Sequence, residues 1–345
     1  MPEAIVREAF QTQAQACDAL GSPFTARLCR LLAEKLDSAQ SAVAHTILTW
    51  PGPPGPSDDS VPLRTAGCLH ALVRSNRISP LTELHDTDLW TACQHAFLEH
   101  EAFILERLKS PPQTNEVRRS AALLPGLFIV AERTGKPLIL SEVGASAGLN
   151  LQLDRYRYRL GETQWGTDSP VFLSPEWRGE APAIPLSFTV LERAGCDLNP
   201  LNPSSPDDRL RQLSYIWADQ TDRLERTQNA LTIAADNHLQ VEKADAIDWL
   251  ARRLETSKPG ATHVIFHSVA WQYFPDSLKQ KGEALITEAG SRATPDAPLA
   301  RLQMEGDGQP RGAALTLQIW PTGEKQEIGR ADFHGRWVDW KGWVR

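Results

Sequence analysis

At 345 residues the chain exceeds the usual span of a single hydrophobic core, so two domains, or one domain with a large extension, are expected. Hydrophobic residues at 41% and charged residues at 23% give an ordinary globular balance. A net charge of -7 argues against a general binder of nucleic-acid phosphates, which presents a basic face, and no apolar run approaches the roughly 18–20 residues that span a bilayer. The amino terminus, MPEAIVREAF, mixes charged with apolar residues and lacks a signal-peptide core. The five cysteines (Cys17, Cys29, Cys68, Cys93, Cys196) are odd in number and include no C-x-x-C pair, the pattern of reduced thiols rather than of a disulfide framework or zinc site. A cytoplasmic protein acting on a small molecule, with no nucleic-acid or membrane partner, is the expectation.

Residues 1–112 read as helix after helix. Ser22-Pro23 supplies a cap and a first-turn proline, and Phe24, Leu28, Leu31, Leu32 and Leu36 follow at helical spacing. A second helix is expected from Asp86 or Asp88 through Leu89, Phe97, Phe103, Leu105 and Leu108, ending at Pro111-Pro112. Between them PGPPGPSDDSVP (51–62) is a loop, because its prolines and glycines exclude regular structure. His95, Glu99 and His100 invite a metal reading, but His95 and His100 lie five apart, so on a helix they diverge by about 140° and no metal is expected.

From residue 113 the pattern changes to α/β. A helix capped near Thr114-Asn115-Glu116 should run through Ile129 and Glu132, kinked at Pro125 and ended by Gly135. PLILSEV then reads as a strand, and LSFTVLE (186–192) as the next, with RAGCDLNP as its turn. The stretch 156–185 is rich in turn residues and reads as an insertion able to form a hairpin. Ser205-Pro206-Asp207-Asp208 opens a helix whose stripe is Leu210, Leu213, Trp217, Leu224 and Leu231. A short strand precedes Asp245, which leads into a helix carrying Ile247, Trp249, Leu250 and Leu254. HVIFH (263–267) and ALIT (284–287) are read as strands, and the alternation from Leu315 to Ile319, the turn at 321–324 and a strand from Ile328 to Val338 form a closing hairpin. Helices alternating with apolar strands mean a mostly parallel sheet with a C-terminal antiparallel hairpin.

Gly144-Ala145-Ser146-Ala147-Gly148 comes directly after a strand, where small residues admit a ligand and a following helix offers its free N–H groups. Two sites are built this way. One is the nucleophile elbow of a serine hydrolase, with Ser146 as nucleophile, Asp276 or Asp296 as the acid and His334 as base. The helical region upstream counts against it, since such an elbow follows several earlier strands. The other is an S-adenosylmethionine site, which needs an acid at the end of the first strand, a small-residue turn and acids after the next two strands. Glu142, Asp197 and Asp245 occupy those positions, with Gly144, Ser146, Gly148, Asn150 and Ala246 beside them. A dinucleotide fingerprint is absent: its acid falls about 20 residues on, whereas Gly148 and Asp197 lie 49 positions apart.

SEVGASAGLNLQLDRYRY, GCDLNPL, WADQTDRLERTQNAL, HSVAWQYFP and HGRWVDW together closely resemble the bacterial domain-of-unknown-function family 2332, over nearly the whole chain. The resemblance implies a class I methyltransferase-like (Rossmann-like) fold of strand order 3-2-1-4-5-7-6, here with an N-terminal all-helical domain, and brings no reaction with it. Ligands in such sheets bind beyond the carboxyl ends of the strands, which brings the segment 267–275 near the cofactor. His267 is then a candidate general base, set against a core histidine bonded to the backbone. Gln272 and Tyr273 are candidate substrate contacts, as are Asn115 and Arg118, which also read as caps and a solvated helix face. Arg155, Arg157 and Arg159 alternate with Tyr156 and Tyr158, so an extended segment puts the arginines on one face, more simply a solvated face than an anion site. The leading expectation is an S-adenosylmethionine-dependent methyltransferase of a small molecule, with the N-terminal helices forming part of the substrate wall. A serine hydrolase and a non-catalytic sensor or partner-binding module on the same fold are the alternatives.

Overall fold

The computed structural model describes residues 2–56, 58–182 and 188–344. Two compact units emerge, Met1–Thr114 with Pro206–Gln228 and Asn115–Ser205 with Asn229–Arg345. The segment 206–228, read from sequence as part of the α/β half, therefore belongs with the helices.

The helical unit starts with α1 (Pro2–Ala19), α2 (Pro23–Lys35), α3 (Ala42–Leu48), α4 (Val61–Arg74), α5 (Asp86–Glu99) and α6 (Glu101–Leu108). Phe10, Leu28, Leu32, Leu36, Ile47 and Leu48 fill its core, and the Ala44 amide donates to Ser41 Oγ at 3.0 Å to cap α3. The single helix expected across 86–108 is two helices, broken at His100. Buried Phe97 and Ile104 stand seven apart across the break, so the apolar spacing runs through it unchanged and hides it.

In the second unit α7 (Arg119–Thr134) runs through Pro125 and ends at left-handed Gly135. It feeds β1 (Leu138–Val143), after which come a 3-10 helix (Leu149–Arg155), β2 (Arg157–Leu160), β3 (Thr163–Trp165), β4 (Phe172–Leu173), β5 (Glu176–Arg178) and β6 (Val190–Asp197). The expected hairpin in the insertion is β2–β3, joined through Leu160 and Thr163. β6 is displaced from its expected position: residues 186 and 187 lie outside the described residues, and the strand runs through RAGCD, which the sequence reading made a turn. Gly195 lets this part of the strand run close beside the β1 turn, since a Cβ there would stand 2.7 Å from Ala145 Cβ.

Beyond it the chain forms α8 (Pro206–Ser214), α9 (Thr221–Asp236), β7 (Glu242–Lys243), α10 (Ala246–Leu254), β8 (Thr262–Ser268), a 3-10 turn (Trp271–Tyr273), α11 (Asp276–Ser291) and β9 (Leu299–Glu305). The one helix expected after Ser205 is thus two, with Trp217 in the connection rather than in a stripe. ALIT lies inside α11, a correction typical of a short apolar run that periodicity cannot assign. The chain closes with β10 (Ala313–Trp320), β11 (Glu324–Ala331) and β12 (Trp337–Trp340).

The nine-stranded sheet has the order β5-β12-β11-β10-β9-β8-β1-β6-β7. Its strands β7, β6, β1, β8 and β9 are parallel and reproduce the expected 3-2-1-4-5. The implied 7-6 interchange is absent: β10, β11 and β12 follow β9 as an antiparallel meander. Only residues 306–312 join β9 to β10, too few for a crossover helix, so the chain turns straight back.

Residue parity fixes the two faces of the sheet. Val143, Cys196, Ile265 and Leu299 pack with Ile247, Trp249, Leu250 and Ile286 of α10 and α11. On the opposite face a Cβ on Gly126 of α7 would meet Leu302 Cδ1 at 2.6 Å. Among the described residues no helix is long and apolar enough to cross a membrane.

Candidate functional site

The carboxyl end of β1 lies beside the topological switch, since β6 extends the sheet on one side of β1 and β8 on the other. Among the described residues, three buried polar atoms in and beside its turn, Glu142 Oε2, Ser146 Oγ and Asn150 Nδ2, make no well-formed hydrogen bond, although the Asn150 amide lies near enough to Glu142 to favour its charged form. Each such atom costs about 1–3 kcal/mol and is uncommon in a folded interior. Burial pushes the Glu142 carboxyl well above the usual carboxylate range; Asn150 and the Arg119 charge oppose the rise, and Asp197 adds to it. Asn150 is fixed from its other end, where Ser120 Oγ donates to Oδ1 at 2.7 Å.

The glycines have a different job from the one expected. Gly144 and Gly148 both hold left-handed φ, 71° and 70°, but protein fills the space beside them. A Cβ on Gly144 would stand 2.6 Å from Ala270 Cβ, and one on Gly148 2.4 Å from Leu239 Cδ2. Nor does a long helix follow: the turn enters the 3-10 helix of residues 149–155, whose first amide, Leu149 N, donates to Asn115 Oδ1 at 2.8 Å. Asn115, the candidate substrate contact, is a buried cap reaching across from the α7 side.

The acids also serve the loops that carry them. Asp197 accepts from Ser146 N at 2.9 Å and from Asn199 N at 2.8 Å, one amide on each carboxylate oxygen, which ties the β1 turn to the end of β6. Ser146 sits at φ 52°, a strained position this bond helps to hold. Asp245 Oδ1 accepts from Ile247 N and Asp248 N, capping α10, whose first residue is Ala246. A carboxylate has about four acceptor sites, so the two amides leave Asp245 chemistry to offer.

His267 is elsewhere. Glu142 pairs with Phe266 in the β1–β8 ladder, so Glu142 and Phe266 share a face and His267 points to the other. There it is wholly buried, stacked on Trp271 with ring centroids 4.9 Å apart. Its Nδ1 donates to Glu305 Oε1 at 2.7 Å, while Nε2 accepts from Arg301 Nε at 3.3 Å. Burial lowers its pKa, with Glu305 opposing, so the imidazole is neutral with both nitrogens occupied. His267, the candidate general base, thus lies on the face opposite Glu142, where it holds Glu305.

Glu305 is what the sequence reading missed. Its Oε1 accepts from Ala270 N and Trp271 N, each at 3.1 Å, and Oε2 from Gln272 N at 3.2 Å. Burial works to raise its pKa, but His267 and these amides outweigh burial and hold it below the usual range. Arg301 links onward to Glu283 at 2.6 Å. The only signal was a charged residue at 301 and at 305 on one face of an otherwise apolar strand, LARLQME. Gln272 is also used by the loop, accepting from Gly306 N at 2.8 Å, and Tyr273 is 68% exposed.

Arg119, equally unforeseen, donates to Phe333 O at 2.9 Å and to Ser268 O at 3.0 Å. It gathers the 332–336 turn and the end of β8 at the start of α7. The neighbouring Arg118 guanidinium is half-buried and pairs with no described residue. The hydrolase residues do not assemble: Ser146 Oγ is unpaired, while Asp276 and Asp296 are exposed and paired with Lys279 and Lys136. Tyr156 and Tyr158 are buried, donating to Leu149 O and Leu153 O, and Arg157 and Arg159 lie over the Phe172 ring at the surface.

Residues 7–340 match the model of the family described as "Uncharacterized protein conserved in bacteria (DUF2332)", and the chain belongs to that family. No curated protein matches it.

Proposed function

From membership of a family whose description carries no activity, and from the chain's own residues, we propose an S-adenosylmethionine-binding protein that transfers a methyl group to a small molecule. The observation that carries this reading is the set of buried polar atoms at Glu142, Ser146 and Asn150 that make no well-formed hydrogen bond among the described residues, flanked by Asp197 and Asp245 at the ends of the next two parallel strands. A polar ligand relieves such atoms, and an apolar one does not. In this reading Asp197 accepts the ribose hydroxyls, Asp245 and the first amides of α10 meet the adenine, and Glu142 and Asn150 face the cofactor's amino-acid end. Gly144 and Gly148 shape the turn without touching the ligand.

The cofactor supplies a methyl group already activated on a sulfonium, so the chain's contribution is to bind, orient and exclude water. Arg118, which pairs with no described residue, is available to an anionic group of the acceptor. The Glu305–His267–Arg301 assembly holds the loop 269–272 rigid beside the turn. The methyltransferase-class identity of the fold belongs to the same proposal, supported by the parallel order β7-β6-β1-β8-β9.

Calorimetric titration of the full chain with S-adenosylmethionine and S-adenosylhomocysteine tests it. Saturable binding by at least one is expected, weakened tenfold or more in Asp245→Asn, which keeps the helix cap but changes the acceptor charge. Folded protein that takes up neither at millimolar concentration defeats the proposal.

A further inference from the structure

The helical unit has a cavity of its own, about 410 Å³ in volume, between α2, α4 and the connection from α8 to α9. That volume lies in the range of small-molecule pockets. Phe24, Leu28, Tyr215 and Trp217 form apolar walls. The wall is built rather than incidental. Gly67 of α4 has no side chain to spare, since a Cβ there would stand 2.8 Å from the Tyr215 ring, and Tyr215 Oη donates to Ser110 O at 3.1 Å.

Arg74 is the one charged residue in this lining. It is half-buried, its guanidinium pairs with no described residue, and burial lowers its pKa. Its place at the end of α4 suits a cation, because helix carbonyls point that way. The guanidinium remains within reach of solvent at the mouth of the cavity, so an anion can approach it. Nearby polar groups are already committed. His70 Nδ1 donates to Ser214 O at 3.2 Å, and burial together with the Arg74 charge drops its pKa to about 4, so it is neutral. Asp219, the acid whose charge reaches His70, accepts from Ser22 Oγ and from Phe24 N.

We propose that this cavity binds an organic monocarboxylate with an apolar body, the carboxylate on the Arg74 guanidinium and the body against Phe24, Leu28, Tyr215 and Trp217. A fork of N–H donors matches a carboxylate in two parallel hydrogen bonds, and a half-desolvated site strengthens them. The inference is independent of the cofactor reading, because every lining residue belongs to the helical unit.

The test is calorimetric titration of the full chain with naphthylacetate and with its neutral isostere naphthylacetamide. The acid should bind at least tenfold more tightly than the amide. Arg74→Gln should lose at least tenfold for the acid and leave the amide unchanged, with a thermal midpoint equal to or above that of the parent, since an unpaired cation is removed. Ala66→Trp, placed in the lining, should abolish binding of both. Equal affinities for acid and amide, acid binding unaffected by Arg74→Gln, or no binding of the acid at millimolar concentration would each overturn the proposal.

Discussion

At the scale of single residues, the turn after β1 gives up stability by burying polar groups without well-formed hydrogen bonds. Glu142 is a carboxyl whose pKa is raised by burial, so its folded form favours the proton. Its stabilising contribution is complete below the unfolded value of 4.5 and is lost as pH rises through the folded value. Glu142→Gln should therefore be more stable than the parent at neutral pH, by about 1–3 kcal/mol, with the gain shrinking as pH falls; denaturant unfolding at several pH values reads this directly, and a pH-independent difference would contradict it. Asn115→Ala acts in the opposite sense. It strips the acceptor from the buried Leu149 amide, and unfolding should show a loss of about 1–3 kcal/mol. Glu142, Ser146, Asn150, Asp197 and Asp245 were all legible in the sequence, because each sits at a fixed offset from a strand end. Their hydrogen-bond partners were not, since Asn115 and Ser146 meet Leu149 and Asp197 through tertiary contacts that no local spacing encodes.

At the scale of elements, strand parity separated what the sequence had grouped. Glu142 and His267 both lie near strand ends, and motif spacing put them in one site, yet the register of β1 against β8 turns them to opposite faces. His267 and Glu305 serve the 269–272 loop. Glu305→Gln exchanges an acceptor-only carboxylate for a group with donors of its own, facing the Ala270, Trp271 and Gln272 amides. Those amides should exchange with deuterium at least tenfold faster in the variant, and unchanged protection would show that the loop is held by something else. Buried strands read clearly where the apolar run was long, as at 262–268. ALIT failed because four apolar residues fit either a strand or one face of α11, and β9 was missed because Arg301 and Glu305 interrupt its pattern.

At the scale of the whole molecule, both units bury histidine in neutral form. Burial drops the pKa of His70 to about 4 and that of His263 to about 3, in each case aided by a neighbouring arginine, and lowers that of His267. A folded pKa below the unfolded 6.5 means that the unfolded chain binds the proton first. The stability these groups confer is present above 6.5 and is lost as pH falls, at up to about 1.4 kcal/mol per pH unit per histidine. Unfolding free energy should thus fall steeply between pH 6.5 and 4, and a flat profile there would contradict the buried, neutral assignment. The alternation of helix and strand made the α/β class legible, and the run of helices before residue 113 made the first unit so. That residues 206–228 return to the helical unit was not legible, because their amphipathic pattern states that a face is buried and not against what.

In the proposed function, S-adenosylmethionine and its product bind at the β1 turn. Hydrogen–deuterium exchange of the full chain, with and without saturating S-adenosylhomocysteine, localises that claim. Added protection is expected in residues 142–150 and 197–199 and at the start of α10. Protection absent from all three, or confined to the helical unit, would contradict it.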